Sequence, residues 1–173
     1  NLTLINADIL QTEPPRAPYK LIANIPYYIT SPIISHFLRG GASRRPDLLV
    51  LMTQLEVARK ICAKAGNHSM LSLQTQLFAE PKLIHQVSRG NFFPAPKVDS
   101  AILLLRPRPT PLLKRSEVFL TLIGLSFGQK RKTLANSLAR YPGLDKQKAT
   151  ETIQAANLDP MARPQNLDFA EWA

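Results

Sequence analysis

Short apolar runs alternate with stretches of helical periodicity through the first half of the chain. The apolar runs predict buried strands at residues 2–5, 21–23 and 47–53. Apolar side chains spaced three and four positions apart predict helices at residues 31–38, 55–66 and 70–79. Because strands that alternate with helices usually pair in parallel, this order predicts an α/β fold with a mostly parallel sheet.

The periodicity changes from helical spacing to alternation after residue 82. Alternating positions at residues 83–89 and 98–109 predict the two strands of a hairpin. The loop between them contains the segment FFPAPK, and its prolines cannot donate to a strand ladder.

Three prolines between residues 107 and 111 mark the change to a second region. Short helices are predicted beyond them at residues 116–127, 131–140, 145–156 and 168–172. Asp168, followed three positions later by Glu171, is typical of a capping box at the last helix. The chain is therefore expected to comprise a domain of residues 1–109 and a helical domain of residues 110–173.

The chain of 173 residues has a net charge of +10. Residues 106–148 contain ten Lys or Arg against Glu117 and Asp145, so this charge is concentrated in the C-terminal part. A polyanion such as RNA is the partner that the charge favours. The single Cys62 excludes an intrachain disulfide, and no apolar run has the length of a membrane span. These features predict a cytoplasmic protein without membrane contact.

The segment NIPYY, residues 24–28, carries the clearest candidate chemistry. Pro26 cannot donate to a sheet ladder and disfavours helical backbone at Ile25, so the preceding strand must end with its carbonyl groups exposed. The side-chain oxygen of Asn24 and the carbonyl of Ile25 can then accept hydrogen bonds from one planar NH2 group, while Tyr27 offers a ring face for stacking. These groups suit an adenine that has been flipped out of its stack in a nucleic acid. The alternative interpretation is a buried strand followed by an ordinary turn.

NIPYY resembles the catalytic motif of amino-methyltransferases that use S-adenosylmethionine. Three further segments follow the order of one family: NADIL at residues 6–10, FFPAPKVDSAILLLRP at residues 92–107 and FGQKRKTLANSL at residues 127–138. Together the segments resemble the small-subunit rRNA adenine dimethyltransferase family, of the kasugamycin-resistance type, over almost the whole chain. The resemblance implies a Rossmann-like methyltransferase sheet followed by a small helical domain that binds rRNA.

Members of that family carry, upstream of these segments, a glycine-rich strand-to-helix turn that binds the methionine and ribose parts of the cofactor. This chain has seven Gly and no G-x-G pattern. The sequence is therefore expected to be truncated at its N-terminus and to hold only the C-terminal part of the methyltransferase sheet. Alone, it is expected to bind S-adenosylmethionine weakly and to be inactive.

The resemblance also assigns catalytic roles to single residues. The expected catalytic residues are Asn24, Ile25, Pro26, Tyr27 and Phe92. In this arrangement Phe92 stacks on the base from the side opposite Tyr27. Phe93 is interpreted as a core residue, and Tyr28 as packing under the loop.

Asp8 and Ile9, together with Asn24, are the residues expected to bind the cofactor. By the resemblance, the Asp8 carboxylate accepts the amine of the cofactor's adenine and Ile9 packs on its ring. Asp8 taken alone reads equally well as a loop residue that caps a turn. No metal is expected, because the three histidines, His36, His68 and His85, lack ligand-like spacing and read as ordinary surface or helix residues.

A basic cluster in the C-terminal signature is the candidate RNA contact. The expected RNA-binding residues are Lys130, Arg131, Lys132 and Arg115. A short basic cluster is more often a solvated helix face, so this alternative stays open. If it holds, the RNA contact is to be sought along Arg39, Arg44 and Arg45.

The resemblance implies dimethylation of N6 on two adjacent adenosines near the 3′ end of small-subunit rRNA. The expected partner is an immature small ribosomal subunit, and the protein is expected to be a monomer. One alternative is the resistance-type dimethyltransferase that acts on large-subunit rRNA, which shares NIPY and F-x-P-x-P-K-V. The other is a noncatalytic rRNA-binding assembly factor that has lost cofactor binding.

Overall fold

A computed structural model describes residues 1–128 and 132–172 and contains one four-stranded sheet among them. The strands are β1 (Lys20–Asn24), β2 (Leu48–Gln54), β3 (Ala79–Val87) and β4 (Ser100–Pro107). Their order across the sheet is β1-β2-β4-β3. The hairpin prediction is confirmed by the antiparallel β3–β4 pair.

The expectation of a mostly parallel sheet is wrong for the described residues. β1 pairs in parallel with β2, whereas β2 and β3 both pair antiparallel with β4. The reason is that the hairpin returns β4 directly between β2 and β3, and a hairpin strand runs against its neighbour. The α/β character remains, because β1 and β2 are joined through a helix.

The two central strands, β2 and β4, form the core of the sheet. Leu49 lies opposite Leu105 and Leu51 lies opposite Leu103, and these side chains are fully buried. Such cross-strand apolar pairs fix the register, because a slip of one residue would turn them to the other face. The central strands therefore provide a rigid support for the residues at their ends.

Seven α-helices accompany the sheet within the described part of the chain. They are α1 (Thr30–Arg39), α2 (Leu55–Ile61), α3 (Met70–Phe78), α4 (Ser116–Phe127), α5 (Leu134–Leu138), α6 (Lys146–Ala155) and α7 (Phe169–Trp172). α1 buries one face, Ile33, Ile34, Phe37 and Leu38, as its apolar spacing predicts. It ends before Gly41, whose φ of 87° is a conformation that favours glycine. α2 and α5 are shorter than predicted.

Contacts divide the chain into two compact units. The sheet unit comprises residues 1–59 and 78–110, and the helical unit comprises residues 60–77 and 111–173. The functional boundary between residues 109 and 110 stays a prediction. No helix in the described ranges is long and apolar enough to cross a membrane.

The strand predicted at residues 2–5 is absent from the structure, which corrects the sequence analysis. The side chains of Leu2 and Leu4 are 91% and 90% exposed. An apolar run becomes a strand only when its backbone N–H and C=O groups find a neighbouring strand, and residues 2–5 pair with none of the described strands.

An aromatic cluster forms the core of the helical unit. Phe119 contacts Phe169 and Trp172, with ring centroids 5.6 and 5.9 Å apart. His68 is buried here, contrary to its interpretation as an ordinary surface or helix residue, with its Nδ1 3.2 Å from the hydroxyl of Ser72. Burial lowers the pKa of His68, and the charge of Asp168 opposes that shift.

The predicted capping box is confirmed at α7. The backbone N–H of Glu171 donates to Oδ1 of Asp168 at 2.9 Å, and the backbone N–H of Asp168 donates to Oε2 of Glu171 at 2.8 Å. These reciprocal bonds satisfy two donors that a helix start leaves without partners.

Candidate functional site

NIPYY lies at the point where β1 ends. Asn24 is the last residue of β1, and Pro26 has the extended backbone (φ −56°, ψ 132°) that takes the chain out of the strand. Tyr27–Ile29 then forms a single 3-10 turn before α1 begins at Thr30. The predicted break of the strand at Pro26 is therefore present.

One cavity of about 430 Å³ brings the predicted catalytic residues together. Its walls are Asn24, Ile25, Pro26, Tyr27, Met52, Phe92, Phe93, Pro94 and Pro96. The first four come from the end of β1, and the last four come from the loop between β3 and β4. Segments separated by more than sixty positions in sequence thus line one pocket.

The wall residues differ in exposure in a way that suits a ligand. The side chain of Ile25 is buried at 6% exposure and anchors the segment, whereas Asn24 is exposed. The amide of Asn24 is bonded to no other described residue, which leaves its oxygen available to a donor. Tyr27 and Phe92 are half-buried, so each keeps part of a ring surface accessible. The cavity therefore offers polar acceptors beside aromatic surface.

Tyr27 is held at both ends by residues that the sequence analysis did not assign to the site. Its hydroxyl lies 2.6 Å from Oγ of Ser100, and its carbonyl accepts a hydrogen bond from Thr30 Oγ1 at 3.1 Å. Thr53 Oγ1 lies 3.0 Å from the same Thr30 oxygen. Ser100 lies in the segment of residues 92–107 that carries the resemblance, whereas Thr30 and Thr53 have no sequence signal beyond their hydroxyl groups.

Phe93 and Tyr28 are exposed, contrary to their interpretation as packed residues. The exposed fractions are 104% for Phe93 and 85% for Tyr28. Phe92 has extended backbone, and consecutive side chains along extended backbone point to opposite sides. The half-burial of Phe92 therefore leaves Phe93 facing outward at the rim of the cavity.

Asp8 and Ile9 do not line the cavity that contains Asn24. Asp8 is exposed, and its carboxylate accepts the backbone N–H of Leu10 at 2.9 Å and the side chain of Gln11 at 3.3 Å. This is the turn-capping geometry of the alternative interpretation. The role of Asp8 and Ile9 in cofactor binding stays a prediction.

The predicted RNA-binding residues are only partly described. Lys130 and Arg131 lie outside the described residues, whereas Lys132 is exposed. Arg115 is also exposed and lines a cavity of about 390 Å³ in the helical unit, together with Lys114 and Trp172. These positions are compatible with contact to a polyanion, and their role stays a prediction.

Arg44 and Arg45, which belong to the alternative RNA contact, have partners within the protein. Arg45 is buried, donates to the carbonyl of Leu38 at 2.6 Å, and has its guanidinium 5.0 Å from the ring centre of Phe78. Burial lowers the pKa of Arg45. Arg44 pairs with Glu13 at 2.5 Å. An RNA contact along Arg44 and Arg45 is therefore not supported.

A second cavity of the sheet unit is charged and was not found from sequence. It measures about 390 Å³, and its lining includes Arg59, Arg89, Lys97, Glu56 and Asp99. Its residues come from α2 and from both ends of the loop between β3 and β4, so no single motif marks it.

Among the described residues, no group of three or more His, Cys, Asp or Glu could hold a metal ion.

Comparison with known proteins gives a consistent match. Residues 1–173 match the family model described as ribosomal RNA adenine dimethylase. A ribosomal RNA small subunit methyltransferase A from Dehalococcoides mccartyi is 41% identical over 179 residues, covering 99% of this chain and 61% of the relative. A protein of the same name from Moorella thermoacetica is 39% identical and covers 96% of this chain. The chain thus spans about three fifths of the length of these curated relatives.

Two solved structures are similar over 97% of the chain. A dimethyladenosine transferase from Plasmodium falciparum aligns with a TM-score of 0.80 at 27% identity. The 23S rRNA methyltransferase ErmE aligns with a TM-score of 0.71 at 32% identity. The chain covers 68% of each of these structures.

Proposed function

The chain belongs to the ribosomal RNA adenine dimethylase family, and from this premise we propose that the protein transfers methyl groups from S-adenosylmethionine to N6 of adenines in rRNA. The observation that carries the proposal is the cavity at the end of β1. It is lined by Asn24, whose amide is exposed, by Ile25, and by the aromatic residues Tyr27 and Phe92. These elements match an adenine, because the acceptors bind its amine and the aromatic rings stack on its two faces.

In the proposed mechanism the protein acts mainly by positioning. The exocyclic nitrogen of adenine is a poor nucleophile because its lone pair is delocalised into the ring. In the first transfer, Oδ1 of Asn24 and the carbonyl of Ile25 accept its two N–H groups, which favours a pyramidal nitrogen and disperses the positive charge that develops there. The nitrogen loses one proton for the methyl group it gains, so in the second transfer one N–H remains for one of these acceptors. When bound, S-adenosylmethionine supplies an activated methyl group.

Stacking offsets the cost of extruding the base. Removing an adenine from its stack costs a few kcal/mol, and each aromatic contact returns about 1 to 3 kcal/mol. Tyr27 and Phe92 are the two proposed contacts. Phe93, at the rim, is exposed and free to contact a neighbouring base.

Asp8 and Ile9 fit the adenine end of the cofactor by their chemistry. The Asp8 carboxylate accepts two hydrogen bonds, and a carboxylate has about four lone-pair sites, so it can accept an amine as well. Ile9 is 39% exposed and offers apolar surface beside it. Asp8 and Ile9 would hold the cofactor's adenine, with Asn24 at the methyl-accepting side.

The proposed substrate is a pair of adjacent adenosines near the 3′ end of small-subunit rRNA, within an immature small subunit. The two curated relatives described above, which carry the small-subunit name, are 41% and 39% identical to this chain, compared with 32% for the 23S enzyme ErmE. The higher identity favours the small subunit. Lys130, Arg131, Lys132 and Arg115 are the proposed RNA contacts.

A methylation assay with Asn24→Ala tests the function. Because the chain spans about three fifths of its relatives, the assay uses this chain joined to the remaining length of the Dehalococcoides mccartyi relative. Removing one acceptor of the amine should lower single-turnover methylation of small-subunit particles by about two to three orders of magnitude, by analogy with the loss of an oxyanion-hole donor. RNA affinity should hardly change.

Asn67→Ala is the matched control, since Asn67 is an exposed asparagine of the helical unit. It should retain full activity. Nucleoside mass spectrometry should detect dimethyladenosine in small-subunit rRNA. Its appearance in large-subunit rRNA instead would favour the resistance-type alternative, and RNA binding without any methylation would favour the noncatalytic assembly factor.

A further inference from the structure

The hydroxyl of Ser100 contacts the phenol hydroxyl of Tyr27, and the surrounding structure restricts the movement of both residues. The two oxygen atoms are 2.6 Å apart, a distance typical of a good O–H···O bond. Ser100 is fully buried and begins β4, where it pairs with Gln54 of β2 on one side and Val87 of β3 on the other. Its backbone is therefore fixed by strands on both sides.

The backbone end of Tyr27 is fixed independently. Thr30 Oγ1 donates its single proton to the carbonyl of Tyr27 at 3.1 Å. In the 3.0 Å contact between Thr30 and Thr53, Thr53 must then be the donor, because a hydroxyl carries one proton. Thr30 and Thr53 are 2% and 0% exposed, so no water competes for these bonds.

Tyr27 is thus attached to the central strands at its carbonyl, through Thr30 to Thr53 of β2, and at its hydroxyl, through Ser100 of β4. A ring held at its backbone and at its tip cannot swing about the Cα–Cβ bond without breaking the Ser100 contact, whereas rotation about the Cβ–Cγ bond leaves the hydroxyl in place. The ring therefore keeps its place in the wall of the cavity that Asn24 and Phe92 also line.

We propose that Ser100 is a positioning residue that holds the Tyr27 ring in the place where the target base stacks on it. This inference rests on the proposed function, because it takes the cavity as the site of the adenine. A pre-positioned ring binds a base more tightly than a free one, since less side-chain freedom is lost on binding. Ser100 itself does not contact the base.

The test measures base stacking by the complete chain of 173 residues. The probe is a short single-stranded RNA with one 2-aminopurine, whose fluorescence is quenched when the base stacks on an aromatic ring. Ser100→Ala should weaken binding by about two- to tenfold, the range for one neutral hydrogen bond, and should reduce the quenching at saturation. Tyr27→Phe should give the same loss, because it keeps the ring and removes the same bond.

A double-mutant cycle separates positioning from general stability. In the Tyr27→Phe background, Ser100→Ala should cause no further loss of affinity or quenching, since the bond is already absent. Ser126→Ala is the matched control, because Ser126 is equally buried and its Oγ has no hydrogen-bond partner among the described residues. It should leave quenching unchanged.

The outcomes distinguish this inference from the proposed function. If the unmodified chain quenches the probe and Ser100→Ala quenches it equally well, or if the two substitutions have additive effects, the positioning role is wrong and the function stands. If the unmodified chain does not stack the base at all, the positioning role falls, whereas the proposed function is judged by the methylation assay, because 2-aminopurine carries its amine at C2 and not at C6.

Discussion

The sheet unit and the helical unit carry the same charge but use it differently. Each contains eleven Lys or Arg and six Asp or Glu. In the sheet unit Arg45 is buried against main-chain carbonyls and Arg44 is paired with Glu13. In the helical unit every described Lys and Arg is exposed. Net charge alone therefore does not distinguish the two units.

The candidate base pocket is the cavity lined by Asn24 and Tyr27. It differs from the basic residues of both units because none of its lining side chains is charged. Its polar wall residues, Asn24 and Tyr27, are neutral, and the rest of the lining is apolar. Contacts to a base through hydrogen bonds and stacking displace no counterions, whereas contacts to phosphates do. Salt dependence should therefore separate the pocket from the basic surface.

The largest expected effect is on the salt dependence of RNA binding. Replacing Lys130, Arg131 and Lys132 together by Gln should reduce the slope of log affinity against log salt by about 2 to 3, since each phosphate contact contributes about 0.7 to 0.9. Asn24→Ala should leave the slope unchanged. Filter binding to small-subunit particles across a salt series measures both variants.

A control triple variant tests whether location or total charge matters. Replacing the exposed Lys146, Lys148 and Arg163 of the same unit by Gln makes the same change in net charge. If this variant lowers the slope as much as the first one, charge acts only at long range, and the cluster at residues 130–132 returns to its alternative interpretation as a solvated face.

The second prediction concerns stability. Arg45→Met should lower the free energy of unfolding by about 1 to 3 kcal/mol, because it removes the donor to the buried carbonyl of Leu38. Lys148→Met, at an exposed position of α6, should change it by less than about 0.5 kcal/mol. Urea unfolding followed by circular dichroism compares the two. Equal effects would contradict the different use of cations in the two units.

Local sequence patterns predicted much of this fold. The wrong predictions share one physical cause, which is that strand pairing is not a local property. α4 was predicted with the bounds it has, because apolar spacing is a local signal. Residues 2–5 have equally good strand composition, but they lack a partner strand, which composition cannot reveal. The antiparallel position of β4 was missed because strand order depends on which edge a hairpin joins.

The candidate site was predictable to a similar extent. Asn24 to Tyr27 were predicted because proline has distinct local consequences, and Phe92 was named through the resemblance. The structure places them on one cavity, and their roles stay predictions. Ser100, Thr30 and Thr53 were missed because a buried hydroxyl gains its role from a partner distant in sequence. Phe93 was misplaced because sequence does not tell which of two adjacent aromatics faces inward.

A third prediction addresses how the helical unit is held together without a sheet. Asp168→Ala should destabilise this unit by about 1 kcal/mol, the usual cost of losing an N-cap. Asp168→Asn should cost less, because Asn is an equally good cap. The single Trp172 lies in α7 and packs on Phe119, so its fluorescence reports unfolding of this unit. Equal losses in both variants would show that charge, and not capping, is what Asp168 contributes.

The smallest expected effect is a pH dependence that belongs to the helical unit. Burial lowers the pKa of His68 below its ordinary value of 6.5, and Asp168 partly opposes the shift. His68 therefore binds a proton more tightly in the unfolded chain, so its contribution to stability is complete above about pH 6.5 and is lost as the pH falls toward the lowered folded pKa.

Trp172 fluorescence during urea unfolding, measured from about pH 7.5 to about pH 5, checks this sign. His68→Gln should flatten the dependence. His85→Gln, at an exposed position of the sheet unit, should leave it unchanged. Asp168→Asn removes the charge that favours protonated His68, so the pKa should fall further and the loss of stability with acid should steepen. A slope that survives His68→Gln would assign the pH dependence to carboxylates instead.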